Sequence, residues 1–516
     1  MTTQIVPFFQ PSGYGLLFLT LPNTDFAKYC LELNKLVQEC PEILERIKKD
    51  LEKDGLIKKE LRQKDKKWES TQEAKGKEVL FQVETDSEKE VLLRLEQGRP
   101  RTNAYVVYMY MMGRGYYGGI KSRSGETFTG ESRTLQFILE SKGLRTPSES
   151  SVYDNINAIS NETREFILNC QMKQILKEGL DDFDELTIDS TSVSGNISWP
   201  RDSNIIIGLI KRGFNYGKKL ELFGAKNILD RYFPRLIREI DRLSKKINME
   251  SGKKDSKKKR RKYYRKLLKL SGMAEQLFEE ELEKVIAEIK GLNMKPSQKE
   301  RLDTLVEMIK TDIEALKTVQ GYCHARIIDE LTIPSKDKVM SISDDDAAYI
   351  QKGDREAVVG YKPQLVRSKN GFISSLTVPK GNASDSAQFG PAIDKSIAQT
   401  GIIPTIVSAD DGYVNTSERD KLLKTGVSVV SFSGSKGKKL LSEEEWNSDA
   451  YIETRNNRSA VESLMYTIKH NFDFDRVVRR GHKNVTAELL EKAIAYNFCR
   501  LFQIREKLKP PLPLAA

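Results

Sequence analysis

Apolar residues recur at helical spacing over much of the chain and at strand spacing only in short pieces. In "ILERIKKDLEKDGLIKKEL" Ile43, Ile47 and Leu51 stand four residues apart, which predicts helix within a charged N-terminal region, 26–75. Between 95 and 130 glycines, aromatics and arginines mix, predicting a packed helix that leads into a basic loop. Leu135, Ile138 and Leu139 form an apolar helix face that ends before Gly143, and Thr146 with Pro147 reads as the N-cap and first position of another helix. Helix, glycine turn and helix over 131–161 make the outline of a helix-turn-helix, with Tyr153, Asn155 and Asn157 as polar residues for DNA. An ordinary αα-hairpin has the same outline.

Strand patterning begins at "ELTIDSTSVSGNIS" (185–198), a strand or hairpin that contains Asp189. It then pauses. Leu236, Ile240, Leu243 and Ile247, then Phe278, Leu282, Val285, Ile289 and Leu292, then Leu302, Leu305, Ile309 and Ile313, recur at steps of three and four. These predict a helical hairpin or bundle inserted over 218–330. Strands return at 357–368 and 371–381, separated by the tight-turn signal "KNG". A helix over 391–400, a buried strand "TIVSAD", a strand at 426–432 and a long helical stretch over 455–507 follow, before the tail "KPPLPLAA".

The expected fold is therefore α/β: a mixed sheet with flanking helices, interrupted by an all-α insertion and preceded by a helical N-terminal region. The expected domains are 1–180, then 181–217 with 331–507 around the insertion 218–330, and a disordered tail over 508–516. A chain of 516 residues exceeds what one hydrophobic core usually organises.

Charge narrows the partner. Lys and Arg number 85 against 74 Asp and Glu, a net charge of +11, which favours a polyanion because neutralising phosphates releases condensed counterions. Eleven basic residues lie in "KKDSKKKRRKYYRKLLKL" (253–270). Lys258, Arg260, Arg261 and Arg265 are its candidate phosphate contacts, with Tyr263 and Tyr264 available to stack; a solvated basic loop is the plainer alternative. The five cysteines are scattered and form no C-x-x-C, so neither a disulfide framework nor a zinc site is expected, and a reducing cytoplasm fits. The apolar "YGLLFLTLP" is too short for a membrane span.

With three histidines, any metal should be carboxylate-bound. Asp189 lies in one strand, Asp410 ends another, and Glu462 lies on a late helix. Two or three carboxylates suffice for a hard divalent ion that also meets substrate phosphates. Arg458, Glu462 and Lys469 stand at i, i+4 and i+11, at about 0°, 40° and 20° around a helix. Such a stripe sets a carboxylate between two cations. An exposed ion-paired face has the same pattern.

"NNRSAVESLMYTIK" resembles the C-terminal signature helix of DDE transposases from bacterial insertion sequences, matched by Arg458, Glu462 and Lys469, with Arg455 where that family has Tyr. "VSADDGYVN" and "LTIDSTSVSGN" resemble its segments bearing the second and first catalytic Asp, and "WPRDS", "SDDDAAYIQKGDREAVVGYKPQLV" and "KGNASD" are similar to further parts. The resemblance implies an RNase H-like core in which Asp189, Asp410 and Glu462 bind two Mg²⁺ ions, or Mn²⁺ in their place. It implies cleavage at the element's ends and attack of the freed 3′-hydroxyl on target DNA. Arg458 and Lys469 would hold phosphates. The implied partners are double-stranded terminal repeats and target DNA, met by a homodimer in the bacterial cytoplasm at the nucleoid, with no membrane involved.

Two other functions fit the same residues: an RNase H-like nuclease that only hydrolyses, and a transposase-derived DNA-binding protein. Asp411, beside Asp410, is expected to be solvated or paired with a cation. Asp344, Asp345 and Asp346 read as a loop or helix start, since adjacent side chains on a strand point apart. Trp199 reads as a turn residue or a base-stacking one, and Asp202 as an acidic residue without a firm role.

Overall fold

The computed structural model of the chain describes residues 25–74, 102–118, 132–224, 233–254, 256–351 and 356–508. They fall in two compact units, Met1–Asp54 with Pro100–Asn196 and Asp346–Ala516, and Gly55–Arg99 with Ile197–Asp345. "YGLLFLTLP", most of the tail and the basic loop after residue 118 lie outside the described residues.

The chain opens with α1 (Asp25–Glu39), α2 (Glu42–Ala74), α3 (Ala104–Tyr116), α4 (Arg133–Glu140), α5 (Glu149–Ala158) and α6 (Asn161–Lys177). Ile43, Ile47 and Leu51 are buried, as their spacing predicts. Gly143 takes φ +68 after α4. Ser148, not Thr146, caps α5, and Pro147 precedes the cap. Asn155 is buried and donates to Thr102 Oγ1 at 3.1 Å, so it faces inward rather than toward DNA; Tyr153 and Asn157 are exposed. Contrary to expectation, one disulfide joins Cys40 to Cys170, with Cα atoms 6.4 Å apart. Cysteines far apart in sequence signal nothing until the helices that bear them pack.

Strands β1 (Glu185–Ser190) and β2 (Val193–Ser194) follow, in different sheets rather than one hairpin. The second unit then holds α7 (Asp202–Glu221), α8 (Phe233–Glu250), α9 (Ser256–Lys290) and α10 (Pro296–Ile327). Its core includes Ile206, Ile240, Leu267, Phe278, Leu302 and Val319. A Cβ at Gly213 would lie 2.4 Å from the Phe278 ring, so only glycine lets α7 approach α9 this closely. Tyr264 is 3% exposed within this core and is not available to stack. Asp202 starts α7 and is paired with Arg326.

The remaining elements are β3 (Ala348–Ile350), β4 (Val358–Tyr361), β5 (Gln364–Ser368), β6 (Ile373–Thr377), α11 (Asp385–Thr400), β7 (Ile406–Ala409), α12 (Thr416–Thr425), β8 (Val429–Phe432), α13 (Ser435–Lys438), α14 (Glu443–Trp446), α15 (Asp449–Asn457), α16 (Ala460–Asn471) and α17 (His482–Leu508). The strand expected over 357–368 breaks at Lys362 and Pro363, because proline donates nothing to a ladder. Its halves enter a sheet β2-β4-β3 and a larger one, β6-β5-β1-β7-β8. In the larger sheet β5 runs antiparallel to β1 and β6, whereas β7 runs parallel to β1 and β8. The "KNG" turn holds, with Gly371 at φ +92. The expected helix over 455–507 is three helices, interrupted near Arg458 and again between Asp473, at φ +49, and Gly481, at φ +80. The fold is mixed α/β and mostly helical.

α17 is buried on nearly every side from Val485 to Phe498, charged residues included. Glu491, fully buried, accepts from Arg114 of α3, from Arg164 of α6 at 2.8 Å and from Arg479 at 2.5 Å. Lys492 pairs with Glu488 at 3.0 Å, both fully buried. A Cβ at Gly115 would stand 2.5 Å from the Glu491 carbonyl oxygen, so glycine permits the α3–α17 contact.

Candidate active site

The site begins with register. β1 pairs β7 in parallel through Glu185↔Ile406, Leu186↔Val407 and Thr187↔Ser408. Two residues beyond that last pair stand Asp189 and Asp410, level with each other at the same end of neighbouring strands. Neighbouring strands lie about 4.8 Å apart. Thr187 and Ser408 share a buried hydroxyl–hydroxyl hydrogen bond of 2.8 Å. Side chains alternate faces along a strand, so Asp189 emerges on the same face as Thr187. Asp410 keeps extended backbone at φ −83, ψ 173, and emerges on the face of Ser408.

Each carboxylate also holds its own loop. Asp189 Oδ1 accepts from the Ser190 N–H at 2.7 Å, and Asp410 Oδ1 accepts from Gly412 N–H at 2.8 Å, starting a 3-10 turn over Asp411–Tyr413. Tyr413 is buried. Burial first, and then the charges of Asp385, Asp189 and Asp410, push its hydroxyl pKa far above the usual range. Its ring end therefore lies in the field of three carboxylates. Asp385 is the one that sequence reasoning passed over; it opens α11, where a helix from 391 was expected.

Asp411, partly buried, is held chiefly by backbone rather than by a side-chain ion pair, with the Lys436 charge a lesser influence. Its carboxylate accepts backbone N–H groups of Gly434, Lys436 and Gly437 at 3.0, 2.9 and 3.0 Å, tying the turn to α13. Burial raises its pKa, but those three donors outweigh burial and hold the carboxyl below the usual range. A depressed pKa stabilises the fold above the unfolded value near 3.8 and loses that contribution as pH falls through the folded one. Asp411→Ala should cost about 1 to 3 kcal/mol in urea unfolding at neutral pH, with the gap to the parent closing in acid.

Glu462 stands near but apart. Asn457, at the end of α15, donates to Glu185 Oε1 at 3.2 Å, and Glu185 shares a strand face with Thr187 and Asp189. The junction of α15 and α16 thus lies over the face that bears the two aspartates, and α16 contacts β1. Val461, Leu464 and Ile468 are the buried side of α16. The Glu462 side chain is 69% exposed and pairs with Arg458 at 3.3 Å. Lys469 is half-buried one helix end away. Arg455 lies over the Trp446 ring at 3.8 Å and donates to its carbonyl, a packing role. Among the described residues no group of three or more His, Cys, Asp or Glu is gathered as a metal cluster. In donor chemistry the level pair Asp189 and Asp410 fits a hard divalent ion.

Of the four basic candidates, Lys258 and Arg265 are exposed on α9, in line with exposed Lys262 and Lys269. Arg261 instead donates to the Ile327 carbonyl and pairs with Glu330, and Arg260 is half-buried. Asp346 accepts the His482 N–H at 2.7 Å, capping α17. Trp199 is half-exposed. No described helix is long and apolar enough to cross a membrane.

Residues 323–498 match the family model described as Transposase DDE domain, which takes in Asp410 and Glu462 and begins after Asp189. The chain accordingly carries a DDE domain. That match agrees with the resemblance of its motifs to the DDE transposases of insertion sequences. No curated protein and no solved structure matches it.

Proposed function

We propose that this chain cuts DNA at the ends of its element and joins the freed 3′-hydroxyl to target DNA, using Asp189, Asp410 and Glu462 in an RNase H-like core. The observation that carries the reading is the register that sets Asp189 level with Asp410 on one face of parallel neighbours. A sheet antiparallel on one side of β1 and parallel on the other supports the RNase H-like assignment.

Asp189 and Asp410 would hold divalent ions, Mg²⁺ or Mn²⁺, and Glu462 would complete the set by turning from Arg458. Such ions, when bound, stabilise charge on the attacking and leaving oxygens of an in-line displacement. Arg458, released from Glu462, and Lys469 would then take the DNA phosphates beside the cut. The exposed row Lys258, Lys262, Arg265 and Lys269 would grip backbone elsewhere without reading sequence. Two copies on paired ends would serve the joining step.

Incubation with duplexes ending in the element's terminal repeats, a supercoiled target and Mg²⁺ tests this. Joined products bearing repeat 3′ ends are expected. Cut ends without joined products would instead identify a hydrolytic nuclease, and binding with neither would identify an idle DNA-binding protein.

A further inference from the structure

The β1–β7 ladder stops at Thr187↔Ser408, and β7 last pairs β8 at Ala409↔Phe432, so Asp410 stands beyond both ladders. Something else must fix its height relative to Asp189. Gln364 opens β5, fully buried, across the strand pair from Ser190. Its oxygen accepts the Tyr413 hydroxyl, and its nitrogen donates to Asp385 Oδ1 at 3.1 Å. Lys362, 7% exposed, pairs with the same oxygen at 2.8 Å. A buried amide that both donates and accepts has one orientation, because flipping it would set like dipoles together. Tyr413 closes the turn that Asp410 opens, so anchoring its hydroxyl restrains the carboxylate three residues back.

The ion pair has a second effect. A Cβ at Gly412 would lie 3.0 Å from Asp410 Oδ1 and 3.5 Å from Asp385 Oδ2. Asp385 is therefore a carboxylate close to Asp410, and its ion pair with Lys362 offsets the repulsion between them.

We propose that Gln364, oriented by the Lys362–Asp385 ion pair, is a positioning residue that sets Asp410 opposite Asp189 through the Tyr413 hydroxyl, for the binding of a divalent cation. This rests on Asp189 and Asp410 being its ligands. Manganese binding to the full chain without DNA, followed by electron paramagnetic resonance, tests it alongside cleavage. Tyr413→Phe and Gln364→Met should each weaken Mn²⁺ binding about tenfold or more, the scale of losing a partner that orients a ligand. The Mn²⁺ concentration for half-maximal cleavage should rise in step, and the rate at saturating Mn²⁺ should recover nearly to the parent's.

Unchanged Mn²⁺ binding in folded Tyr413→Phe overturns the proposal, as does a lost rate that saturating Mn²⁺ leaves unrestored. Collapse of the fold in Tyr413→Phe, seen by circular dichroism, also overturns it, since the hydroxyl would then be a structural prop. Asp410→Asn separates the levels: if it binds Mn²⁺ and cuts like the parent, the site assignment fails. If it is inactive while Tyr413→Phe is normal, only the positioning role fails.

Discussion

Asp410→Asn is expected to leave a folded protein that binds terminal-repeat DNA and cuts it about a hundred- to a thousand-fold more slowly or worse. The substitution keeps the volume and an oxygen for the Gly412 N–H, so the turn after β7 should persist. It removes the negative charge that a hard cation needs. Asp189→Asn should behave alike, since its oxygen can still accept from Ser190. Asp411→Asn is the internal control. It alters the adjacent carboxylate, which holds three backbone N–H groups, and should cost stability but spare cleavage once folded. Cleavage rates and mobility shifts on one labelled duplex decide it: parent-like cutting by Asp410→Asn would remove that residue from the site.

The largest expected loss of stability is at Glu491→Gln, about 3 to 5 kcal/mol. Burial raises the Glu491 carboxyl, but the charges of Arg114, Arg479 and Arg164 outweigh it and hold the pKa far below the usual carboxylate range. Glutamine keeps the shape yet leaves the three guanidiniums of Arg114, Arg479 and Arg164, 13%, 13% and 2% exposed, without their anion. A folded pKa below the unfolded one means that the stabilisation is complete above about pH 4.5 and fades as pH falls below it. Chemical unfolding across pH 3 to 7 should show the parent losing stability in acid and Glu491→Gln changing much less. Equal stability of the two at pH 7 would sink the argument.

Much of this was legible in residue order and some was not. The strand that contains Asp189 and the strand that ends at Asp410 read from their short β-branched runs, and the motifs around them from a family resemblance. Helices α8, α9 and α10 of the second unit read from apolar spacing, and α7 did not. Asp385 did not, since what makes it matter is proximity to Asp410 across a sheet, and nothing in spacing encodes that. The break at Pro363 had its signal in the proline itself. Glu488, Glu491 and Lys492 had one too: three charges inside an apolar run that is otherwise helical imply buried partners. Arg260, Arg261 and Tyr264 share a basic segment with Lys258, and composition alone cannot say which way each turns.

The order of the strands sets a timetable for synthesis. β1 lies between β5 and β7 in the sheet, yet Thr187 meets Ser408 across a sequence separation of 221 residues. At translation rates of about 5 to 20 residues per second, β1 waits roughly 10 to 45 s for that neighbour. For most of that interval, until β5 is made shortly before β7, a nascent chain holds Asp189 on a strand with neither sheet partner made. On the proposed function, cutting competence would arrive only with the last third of the protein, which holds Asp410 and Glu462, and a polypeptide cut short before β7 would not cleave DNA.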